Sequence, residues 1–76
     1  MEENILNIKN QIKAQILLAG FTMAEVVDAL STEYGWSDSL SNFSAKLSRE
    51  SLRYKEALEL ADVLGYEIIW RKRGES

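Results

Sequence analysis

The sequence predicts a mostly α domain: four helices, followed by one C-terminal β-strand that pairs across a dimer. Three observations predict it. Apolar residues recur at three- and four-residue intervals in four successive segments, the spacing that lines one face of a helix. Gly20, Gly35 and Gly65 stand where three of those segments run out, as glycine does just past a helix C-terminus. The last stretch, Tyr66-Glu67-Ile68-Ile69-Trp70, breaks the pattern and is β-branched and aromatic, a strand composition.

The first helix is expected from about Asn4 to Ala19. Ile5, Ile8, Ile12 and Ile16 form its stripe, with Leu6 and Leu17 beside them. The second is expected to start at Thr22, which with Glu25 has the spacing of a capping box, a hydroxyl and a carboxylate each satisfying the other's backbone N–H. Met23, Val26, Val27 and Leu30 make its buried stripe, and it runs out near Tyr34 and Gly35. The third is expected over about Ser37 to Leu47, capped by Ser37 or Ser39. Its apolar stripe, Leu40, Phe43 and Leu47, is narrow, and the opposite face is small and polar. Serines lower intrinsic helicity, so this helix is held by its neighbours. The fourth is expected over about Arg53 to Leu64, with Tyr54, Ala57, Leu58, Ala61 and Leu64 inward.

Residues 1–65 therefore form the helical domain and residues 66–76 a strand with a basic tail. Glu67 to Lys72 reads as the strand, and the chain offers it no partner strand. Unpaired strand edges recruit other chains. The sequence thus predicts an antiparallel pairing with a second copy, with Ile68, Ile69 and Trp70 at the dimer interface and Arg71, Lys72 and Arg73 at its rim.

Composition narrows the function. With 76 residues the chain makes one small domain of thin stability margin, which a homodimer interface would supplement. It contains no Cys and no His, so the usual zinc sites and the Ser-His or Cys-His nucleophile pairs cannot be built. Neither catalysis nor a cofactor or metal is expected. Glu56, Glu59 and Asp62 share the fourth helix with Lys55 and are expected to face solvent. No apolar run is long enough to span a membrane. The N-terminal stretch MEENILNIKN starts acidic and lacks a long apolar core, so no secretory signal is expected and the cytoplasm is the expected location.

The net charge of −3 disfavours nucleic acid, whose binders are usually basic, but the charge is unevenly spread. Lys9 and Lys13 face six carboxylates in residues 1–45, whereas seven basic and six acidic side chains share residues 46–76. The segment from Lys46 to Lys55 holds Lys46, Arg49, Arg53 and Lys55 against Glu50 alone.

Helix, turn, helix, longer turn, short polar helix, loop, helix is the order of a helix-turn-helix domain. Thr22, Glu25, Val26 and Leu30, then Ser37, Ser41 and Phe43, then Ala57, Leu60, Ala61, Leu64 and Gly65 fall in the pattern of its helices. On those residues the chain resembles the lambda-repressor-like (Xre/Cro-type) helix-turn-helix family. The resemblance implies a small DNA-binding transcriptional regulator whose third helix enters the major groove of double-stranded DNA.

The residues fit that chemistry. Asn42 is the side chain on the third helix suited to a two-point contact with adenine. Ser37, Ser39, Ser41 and Ser44 suit bases or phosphates. Lys46, Arg49 and Arg53 follow within one or two turns and suit the phosphate backbone. Trp36 and Trp70 are read as core or interface aromatics. The alternative is a helix-turn-helix-derived module that binds a protein partner, as an antirepressor or adaptor does, and not DNA; the acidic balance favours it.

Overall fold

A computed structural model describes residues 7–74. Four helices fill them: α1 (Ile8–Leu18), α2 (Met23–Tyr34), α3 (Leu40–Ser48) and α4 (Tyr54–Leu64). The first of these was expected to begin at Asn4; residues 4–6, with the stripe positions Ile5 and Leu6, lie outside the described residues.

Local chemistry sets the boundaries. Asn7 caps α1, its side chain accepting the Asn10 N–H at 3.0 Å. Past α1, Gly20 takes φ +84°, so that the Phe21 and Gly20 N–H groups reach back to the carbonyls of Ile16 and Leu17. This double closure needs a left-handed residue and turns the chain sharply, leaving α1 and α2 about perpendicular at 90°. The expected capping box starts α2: Thr22 Oγ1 accepts the Glu25 N–H, and Glu25 returns the contact to the Thr22 N–H at 2.9 Å. Ser39, and not Ser37, caps α3. At its far end Glu50 adopts φ +54°, a left-handed conformation that costs a residue with a Cβ, and the Ser51 N–H returns to the Lys46 carbonyl.

The core is wholly apolar. Ile16, Val26, Val27, Leu30, Phe43, Leu47, Leu60 and Leu64 are buried in one cluster, with Ile12, Phe21, Met23, Trp36 and Leu52 packed against it. The longest interface runs between α2 and α4, and α3 packs on both α1 and α2. Leu30, Leu47 and Leu64 thus belong to one core drawn from α2, α3 and α4. Among the described residues no single helix is long and apolar enough to cross a membrane.

Some expected faces are rotated. On α4 Leu60 and Leu64 are buried and Ala57 and Ala61 partly so, whereas Tyr54 and Leu58 are exposed. Both sets contain the two alanines at helical spacing, and burial of Leu60 decides the phase. Leu17 and Leu40 also lie on the surface.

The C-terminal strand is not formed. Among the described residues there is no strand or sheet, and residues 66–70 carry no regular secondary structure. A strand exists through its ladder of backbone hydrogen bonds, and the described residues hold no second strand to supply one. The tail instead turns at Gly65 and runs back beside α4, where the Trp70 Nε1–H donates to the Tyr54 hydroxyl at 3.0 Å and the two rings lie 6.2 Å apart. The expected interface residues are accordingly on the surface: Ile69 is 69% and Trp70 83% exposed, while Ile68 is partly covered at the edge of an apolar groove between α1 and α4.

Candidate nucleic-acid interface

Residues 35–39 join α2 to α3, and side chains on both sides of this turn meet in a groove of about 420 Å³. Four of the expected site residues line it: Ser37, Asn42, Lys46 and Arg49, joined by Trp36, Phe43 and Glu56. Ser39 is half-buried in its capping role, while Ser41 and Arg53 are exposed and lie outside the groove lining.

Serines organise the groove's entrance. The Asn42 N–H donates to Ser39 Oγ at 3.2 Å and the Ser39 N–H to Ser37 Oγ at 3.3 Å. The Asn42 side-chain amide also donates to Ser37 Oγ at 3.3 Å. Arg49 closes α3 at its C-terminal end, and Arg53 precedes α4. Both guanidinium groups stand at the surface, and among the described residues neither forms an ion pair with a carboxylate.

The floor of the groove is a network that the sequence did not announce. Trp36 tilts against Phe43, 6.3 Å between ring centres, and its indole N–H donates to Glu59 at 2.7 Å. The Lys46 ammonium lies 5.3 Å from the centre of the Trp36 ring and 2.7 Å from Glu56 Oε2. The other Glu56 oxygen accepts the Arg53 N–H at 2.9 Å. Lys46 is therefore a strut between α3 and the start of α4, and its charge is already offset by a carboxylate. Lys46, expected to suit the phosphate backbone, is paired with Glu56 in this structure. One expectation changes. The acidic side chains of α4 do not simply face solvent: Glu56 and Glu59 are partly buried in the network, and Asp62 accepts the Tyr34 hydroxyl. Glu56 was recoverable from sequence, since it stands three residues after Arg53 at capping-box spacing. Trp36 carried a signal too, as the aromatic directly after a helix-ending glycine.

Ionisation follows these contacts. Burial opposes the charge on Glu56, but the hydrogen bonds from Lys46 and the Arg53 backbone, with the positive charges of both residues, outweigh it and hold its carboxyl below its ordinary value of 4.5. A depressed folded-state pKa contributes stability above the ordinary value, lost as pH falls through the folded value. Glu56→Gln is expected to destabilise the domain near neutrality yet to flatten its acid dependence. Urea midpoints for both proteins at about pH 7 and about pH 3 check this, and parallel losses on acidification would remove Glu56 as the titrating group. The Tyr34 hydroxyl, hydrogen-bonded to Asp62 with the charges of Asp62, Glu59 and Glu33 nearby, is pushed up to about 12.

Trp70 docks on Tyr54, the first residue of α4, and the basic run Arg71-Lys72-Arg73 follows it in the sequence. Among the described residues no group of three or more Asp or Glu side chains is placed to hold a metal ion. Comparison with family models, with curated proteins and with solved structures returns no match.

Proposed function

We propose that the protein is a small DNA-binding transcriptional regulator, a binding protein and not an enzyme, that seats α3 in the major groove of duplex DNA and works as a homodimer in the cytoplasm. The observation that carries this reading is the groove beside α3. It gathers an amide and an exposed guanidinium from Asn42 and Arg49 on one surface, with a second exposed guanidinium, Arg53, just before α4. Side chains suited to base edges and side chains suited to phosphates on one surface support this reading. A homodimer would set two copies of α3 about 34 Å apart for a two-fold symmetric site, and it would add the buried surface that so small a domain lacks. Sedimentation of the free protein and of its complex tests the stoichiometry.

A second reading keeps the fold and removes the DNA. It takes the protein as a helix-turn-helix-derived module for a protein partner, an antirepressor or adaptor. The neutralisation of Lys46 by Glu56 and the net charge of −3 favour it. Fluorescence anisotropy with a random duplex across a salt series separates the two. DNA binding is expected to weaken with a log–log slope of about −0.9 per phosphate contacted. Absence of binding to any duplex at low salt selects the protein-binding module.

A further inference from the structure

We propose that Ser37 makes no contact with DNA itself but sets the side-chain amide of Asn42 to read adenine, a specificity device that rests on the DNA-binding reading above. Asn42 is the third residue of α3 and shares the groove wall with Ser37. Its Nδ2 donates to Ser37 Oγ at 3.3 Å. That oxygen is itself anchored, because it accepts the Ser39 N–H at 3.3 Å. The Asn42 backbone N–H in turn donates to Ser39 Oγ at 3.2 Å. Side chain and backbone of Asn42 are thus both tied to the turn that precedes α3, and the amide is oriented before any ligand arrives.

The consequence follows from the inventory of a primary amide, which carries two N–H donors and one carbonyl acceptor. In the proposed arrangement Ser37 takes the N–H that points away from Oδ1, which leaves the other N–H and Oδ1, a donor beside an acceptor. In the major groove adenine presents N7 as an acceptor beside the N6 amino group as a donor, the complementary pair. Guanine presents two acceptors, cytosine an amino donor, and thymine an acceptor and a methyl group; none of these satisfies both remaining groups. A side chain already held in the binding orientation also loses less rotamer freedom on binding than a free one. A serine that touched phosphate would behave differently, weakening all sequences alike when removed.

The test uses the full chain. A binding site is selected from a random duplex library, and affinities are then measured for that site and for one with the contacted adenine replaced. The unaltered protein is expected to discriminate by about 5- to 150-fold, the range of a two-point base contact. S37A is expected to lose about 2- to 10-fold of that discrimination, the worth of one hydrogen bond, with affinity for random duplex unchanged. S37T, which keeps the hydroxyl, is expected to restore it. N42A is expected to abolish the preference, and S37A added to N42A to change nothing further, as two groups acting as one unit do. Three results overturn the proposal while leaving DNA binding in place: a selected site with no adenine preference, S37A that leaves discrimination intact, or S37A that weakens selected and random duplex equally. Failure of the unaltered protein to bind any duplex at low salt overturns the DNA-binding reading, and this proposal with it.

Discussion

Leu47→Ala is expected to lower the unfolding free energy by about 2–5 kcal/mol, the cost of deleting a buried leucine side chain from a packed core. Leu47 is 0% exposed and belongs to the cluster that joins α3 to the other helices, as does Leu30, also 0% exposed. A domain of this length has a total stability of only about 4–11 kcal/mol, so either change removes a large share of it. No disulfide limits the loss, since the chain has no cysteine. The effect is specific to position: Leu18→Ala, at a site 74% exposed, is expected to stay within about 0.5 kcal/mol. Urea denaturation followed by circular dichroism reads all three. A reduced midpoint with an unchanged slope is the expected signature, and a Leu47→Ala protein as stable as its parent would contradict the packing of α3. Because Leu30 and Leu47 share one cluster, the double substitution is expected to depart from the sum of the two single ones.

Local signals in this sequence were the legible ones. Thr22 and Glu25, Ser39, Gly35 and Gly65 act on residues three or four positions away, and each ends or begins a helix as its chemistry requires. Where an expectation failed, the deciding partner was distant in sequence. Leu58 and Leu60 fit the α4 periodicity about equally, and only the positions of α1 and α2 bury the second. The tail has the composition of a strand, yet strand formation is a property of a pair, and the side chain that holds Trp70 is Tyr54, 16 positions earlier. Lys46 reads as one more cation in a basic run until Glu56 is brought against it from the next helix. The groove beside α3 was legible in part: four of the expected residues, Ser37, Asn42, Lys46 and Arg49, line it, because a short polar helix after a turn gathers them, whereas Ser39, Ser41, Ser44 and Arg53 do not. The division of labour within that set was not, because it depends on contacts between α3 and α4.

That division has the second large consequence. Arg49→Ala combined with Arg53→Ala is expected to weaken binding to every duplex, selected or random, whereas Lys46→Met is expected to weaken it less than either single arginine change. The arginines are exposed at the end of α3 and the start of α4, and guanidinium groups suit phosphate geometry. The Lys46 ammonium is held 2.7 Å from a carboxylate and over an indole ring, so turning it toward DNA would first break that pair and leave Glu56 facing the phosphates. Removing one side chain that neutralises a phosphate should reduce the salt slope by about one unit for each bound protomer. Titrating random duplex at several salt concentrations measures slope and affinity together. A Lys46→Met protein with a reduced slope and an unchanged urea midpoint would make Lys46 a phosphate contact after all. An arginine double variant with the parental slope would instead move the phosphate contacts to the basic run at residues 71–73, and truncation after Trp70 would then be expected to produce the loss that the double substitution did not.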